Sequence, residues 1–162
     1  MEKASIIFSI LIRNDDFMYL FWGGLGLINI LLGSFLIRSK PMGEKELVEI
    51  SPDYKNINAD YMIFTLFAIF LIGFPMLLMW SRLDKWAEMN YSRDFYPLFV
   101  FFFSGYGIYQ AVFALSKGVY PMGKVMSFLY DDSNLIRRAA RIHITSSSVL
   151  FVLSLLTFFA TV

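Results

Sequence analysis

Four stretches of this chain, Phe17 to Ile37, Tyr61 to Trp80, Phe95 to Ser116 and Ile144 to Val162, contain no Asp, Glu, Lys or Arg. Each is long enough for a helix rising about 1.5 Å per residue to cross a hydrocarbon layer about 30 Å thick, with every backbone hydrogen bond closed internally. A buried helix of a soluble bundle would show a charged outer face, whereas these blocks are apolar all round. The expected fold class is therefore all-α: a polytopic membrane protein with four transmembrane helices in a left-handed bundle, forming a single integral membrane domain over residues 1–162.

Composition agrees with that constraint and removes several function classes. The 162 residues are 57% hydrophobic and 17% charged, with 18 Phe, which a soluble core of this size would not hide. A formal net charge of +1 without a basic face argues against nucleic acid as a partner. No Cys is present, so disulfides, thiolate metal sites and covalent haem attachment do not arise. The single histidine, His143, lacks the companions a metal site needs and is expected as a polar residue at the membrane boundary. No cofactor or metal is expected.

Residues 1–16 carry an apolar run too short to span and no small-residue cleavage site, so they are expected to lie at the interface. Nine basic residues fall on one side of the four blocks, namely Arg38, Lys40, Lys45, Lys55, Lys117, Lys124, Arg137, Arg138 and Arg141. Five fall on the other: Lys3, Arg13, Arg82, Lys85 and Arg93. Positive residues are retained in the cytoplasm, which puts both termini outside it and places the protein in a cell membrane of the bacterial inner type.

The two halves of the chain resemble each other. Asp16-Phe17 and Asp94-Phe95 open the first and third blocks, Gly24-Leu25-Gly26 matches Gly105-Tyr106-Gly107, and Pro41-Met42-Gly43 matches Pro121-Met122-Gly123. The matches keep their order at nearly constant offset, which suggests two tandem helical-hairpin repeats, 17–80 and 93–162, related by an axis along the membrane normal. The competing explanation is that every such hairpin needs aromatic residues at its helix starts and Pro-Gly turns.

Small residues show where helices can approach. Apolar side chains gain nothing by leaving lipid for one another, while close backbone contact does gain dispersion energy. Ser104, Gly107, Ala111 and Ala114 form one stripe, Ser147 and Ser154 a second, and Gly26 and Gly33 a third, all expected to serve helix packing or partner binding. Asn29 and Gln110 are intramembrane amides at equivalent repeat positions, better suited to fixing register than to holding a substrate. Pro75 is expected to kink the second helix. Asp131 to Asn134 read as a helix start feeding the last span, and Arg137, Arg138 and Arg141 fall at headgroup depth, where membrane lipid is the natural partner.

No catalytic motif is present, so the chain is not expected to be an enzyme. The leading expectation is a protein that acts through helix–helix binding to another membrane protein, as an accessory or assembly subunit or an immunity protein against a pore-forming toxin, or to its own copies as a homo-oligomer. A small channel or carrier for a neutral or apolar substrate is the alternative. A lipid-modifying membrane enzyme using loop acids such as Asp131 and Asp132 is the third.

Overall fold

The computed structural model describes residues 36–81, 91–122, 127–132 and 134–161, together with single positions between 23 and 34. In chain order these are β1 (Lys40–Met42), α1 (Glu44–Ile50), a 3-10 turn (Pro52–Tyr54), α2 (Ile57–Ser81), α3 (Tyr91–Lys117), β2 (Tyr120–Met122), β3 (Ser127–Tyr130) and α4 (Leu135–Thr161). Three helices are long and apolar enough to cross a membrane, over Ile57–Leu78, Leu98–Lys117 and Leu135–Leu156. The first apolar block falls largely outside the described residues. Its described positions up to Leu36 are helical, and Leu36 packs beside a cluster formed by α3, α4 and Tyr120.

The central helix is α3, which packs most extensively on α4 and less on α2. Two glycines set these approaches from different sides. A Cβ at Gly105 would stand 3.1 Å from Ile72 Cδ1 of α2, whereas one at Gly107 would stand 2.6 Å from Ser147 Oγ of α4. Farther along the same contact, Phe101 stacks on Phe151 at 4.5 Å between ring centroids. The α2 helix runs unbroken through Pro75, and only 11% of its apolar stretch is buried, against 50% for α3.

The connections at one end of the bundle hold a three-stranded antiparallel sheet of order β1-β3-β2 that the helical pattern gave no reason to expect. Its edges follow from proline chemistry. Pro41 and Pro121 lack an amide donor, and both lie on outer strands, opposite Leu129 and Phe128 of β3, which carries no proline. Before the sheet closes, Gly43 begins α1, where its amide donates to Glu46 Oε2 at 2.8 Å and Glu44 and Glu46 meet the positive end of the helix.

Aromatic and aliphatic side chains fasten this cap to the helices. Leu47, Ile57, Phe113, Val119 and Phe128 are all buried together, with Tyr54, Tyr61, Phe64 and Tyr130 packed around them. Phe128 of β3 stacks on Phe113 of α3, and Tyr61 meets both rings edge-on at 5.7 and 5.1 Å. These edge contacts contribute about 0.5–1.5 kcal/mol each beyond the apolar area they bury.

Candidate functional site

The stripe read on α3 lies inside the molecule. Ala111 and Ala114 are fully buried, Ser104 is 3% exposed, and Ile136 and Ala140 of α4 complete the cluster around the two alanines. Ser104 donates to Val100 O at 2.5 Å and Ser154 donates to Phe151 O at 2.7 Å, so each hydroxyl is satisfied within its own helix and leaves a small, nearly apolar surface. The structure thus joins Ser104, Gly107, Ala111 and Ala114 to the face of α4 that carries Ser147. Gly26, Gly33 and Asn29 lie outside the described residues.

Where α3 ends, the chain folds back onto this seam. Gly118 adopts φ +74°, and its amide donates to Ala114 O at 2.9 Å, closing the helix with a left-handed residue that glycine adopts at little cost. Tyr120 then falls against α4, where its hydroxyl is hydrogen-bonded to His143 Nδ1 and the rings stack at 5.8 Å. A Cβ at residue 107 would lie 2.8 Å from His143 Nε2, so the imidazole fills the space that Gly107 leaves. The half-buried His143, expected from the sequence as a polar residue at the membrane boundary, is built into a helix contact eight residues inside the candidate span Leu135–Leu156. Sequence reasoning did not identify Tyr120 as its partner, although the Gly118 turn marks where the chain reverses.

A second polar row joins α2 to α3. The Tyr61 and Tyr106 hydroxyls are 3.0 Å apart, and Gln110 and Thr65 face Tyr106, with the buried Thr65 hydroxyl short of a hydrogen bond of normal geometry. Lys117 in the last turn of α3 donates to Asp60 Oδ2 in the first turn of α2 at 2.6 Å. Each charge complements its helix dipole, but both side chains are more than a third exposed, so the pair contributes under about 1 kcal/mol.

Two tyrosines of the cap have hydroxyls pushed above their usual value of 10.0: Tyr120 by burial and then by Tyr61, and Tyr54 by burial and then by Tyr130 and Asp53, opposed by Arg137. A group whose folded-state value is raised keeps its proton in the folded protein where the unfolded chain has lost it. Its contribution to stability is therefore complete below about pH 10 and is lost as pH rises toward the folded-state values. Thermal unfolding followed by tyrosinate absorbance is expected to show a midpoint falling above about pH 10, with a shallower fall in Tyr120→Phe.

Among the described residues no three His, Asp or Glu side chains stand together as a metal would need. Arg137, Arg138 and Arg141 come together on the outside of α4, where they and Asn134 line a cleft of about 220 Å³. Comparison of the chain with protein-family models, with curated proteins and with solved structures found no match.

Proposed function

We propose that the chain is a non-catalytic multi-pass membrane protein that works by helix–helix binding to another membrane protein, as an accessory or assembly subunit or as an immunity protein against a pore-forming toxin. The observation that carries this reading is an unexplained glycine on α2. Glycine in a helix costs about 1 kcal/mol relative to alanine, and Gly105 and Gly107 are accounted for by close contacts with Ile72, Ser147 and His143. Among the described residues nothing lies within 4 Å of a Cβ built at Gly73. A helix of another protein approaching α2 there would give that glycine the role its two counterparts have within the chain. Around it Phe67, Phe70, Phe74 and Leu77 are exposed, and Phe70 stacks on Phe74, which presents a broad apolar flank.

The stripes on α3 and α4 serve internal packing in this reading, and α2 serves the partner. The first apolar block is the fourth span, and the cap faces the cytoplasm because the basic excess lies at its end of the bundle. A tandem hairpin origin receives support from the sheet, whose two Pro-Met segments flank β3 on opposite edges. A photoreactive side chain at Phe70, activated in native membranes, is expected to yield an adduct with one membrane protein at a fixed mass. The same probe at Val149 on α4 is expected to yield lipid adducts only. Lipid adducts alone at both positions would remove the proposal.

A further inference from the structure

We infer that the first two turns of α4 form a binding site for a phosphate group at the membrane surface, held by Arg137, Arg138, Arg141 and Asn134. These residues stand at i, i+3, i+4 and i+7, one face of a helix, and together they line the cleft of about 220 Å³. Three guanidinium groups within two turns repel one another, since like charges three and four residues apart destabilise a helix unless an anion lies between them. Among the described residues none of the three has a carboxylate partner, and all three side chains are exposed.

The position decides what kind of anion is met. Beyond Arg141 no Asp, Glu, Lys or Arg follows in α4, and the candidate span Leu135–Leu156 opens with the turns that carry the three arginines, so the guanidinium groups belong to the end of that span, at the level of lipid phosphates. Arginine suits that chemistry because its planar fork donates two parallel hydrogen bonds to phosphate oxygens, with a further donor available from the Asn134 amide. The cleft also lies at the positive end of the α4 dipole, which adds to the attraction without creating the site. The inference is independent of any partner on α2, because the cleft is lined by α4 and by Asn134 just before it.

The full chain in a neutral detergent would be offered phosphatidylglycerol or phosphatidylcholine, with retained lipid counted by native mass spectrometry. Inorganic phosphate at millimolar concentration would be added as a competitor. Wild type is expected to retain phosphatidylglycerol roughly tenfold over phosphatidylcholine, and Arg137→Gln/Arg138→Gln/Arg141→Gln to retain both alike. The triple lysine variant should fall between them, since it keeps the charge and loses the fork. Displacement of the lipid by inorganic phosphate would identify a site for free phosphate groups, and resistance to it a site for the lipid headgroup. Equal retention of the two lipids by wild type, or unchanged preference in a folded glutamine variant, would overturn the inference. Glutamine is a good helix former, so circular dichroism matching wild type is expected for that variant.

Discussion

Replacing Gly107 is expected to open the seam between α3 and α4. Even alanine places a Cβ 2.6 Å from Ser147 Oγ and 2.8 Å from His143 Nε2, and neither neighbour is the free end of a long, flexible side chain. His143 is held from its other side by the Tyr120 hydroxyl, so relief at residue 107 has to come from separating the helices or breaking that bond. Overpacking of this kind costs about 1–3 kcal/mol for alanine, and Gly107→Leu is expected to exceed that range. Thermal unfolding in detergent, followed by helical circular dichroism, should show the loss. Ser147→Ala removes the nearer obstacle and is expected to restore part of the stability of Gly107→Ala, a coupling that appears only if the two positions touch. Full stability in Gly107→Ala alone would mean that the helices do not meet here.

Phe128→Ala is expected to release the cap while leaving the helix seam in place. Phe128 is fully buried between the sheet and the bundle, against Phe113 and Tyr61, at a point outside the three apolar spans. Water competes for surface there as it does not within the bilayer, so the hydrophobic term acts in full and truncation costs about 3–5 kcal/mol. Hydrogen exchange should then rise in β1, β2 and β3 with little change in α3 and α4 beyond their cap ends. Phe64→Ala is expected to cost less, because Phe64 is half-buried and meets Phe113 and Tyr109 at the margin of the same cluster. Uniform exchange throughout the chain in Phe128→Ala would instead make the cap and the bundle one cooperative unit.

Three of the four expected spans were legible in the sequence as helices long and apolar enough to cross a membrane, because their signal is additive: about 20 residues without a charge point the same way whatever their neighbours do. The small-residue stripes were legible for a related reason, since a period near 3.5 fixes one face of a helix, and Ala111, Ala114 and Ser147 all lie on buried faces. Which helix covers that face is a tertiary fact. Ala111 and Ala114 read equally well as a surface for a partner, and only the fold shows α4 already seated on them.

The sheet was hidden by its brevity. Strands of three or four residues present too little alternation to recognise, and Pro41 and Pro121 argue against strands unless their edge positions are known. The pairing of His143 with Tyr120 depends on the left-handed turn at Gly118, which reverses the chain onto α4, and nothing near His143 in the sequence announces it. Asn29, which the repeat would set beside Gln110, lies outside the described residues.

The central claim, that α2 carries a binding face while α3 and α4 hold the bundle together, is tested most directly by Gly73→Leu. Open space surrounds that position among the described residues, so the variant is expected to fold and unfold as wild type does. Assemblies released gently from native membranes would be weighed for wild type and variant side by side. Wild type should carry a second membrane protein in fixed ratio, and Gly73→Leu should lose it while keeping its own thermal midpoint. An unchanged assembly in a folded Gly73→Leu variant, or a wild-type chain that emerges with lipid alone, would contradict the account.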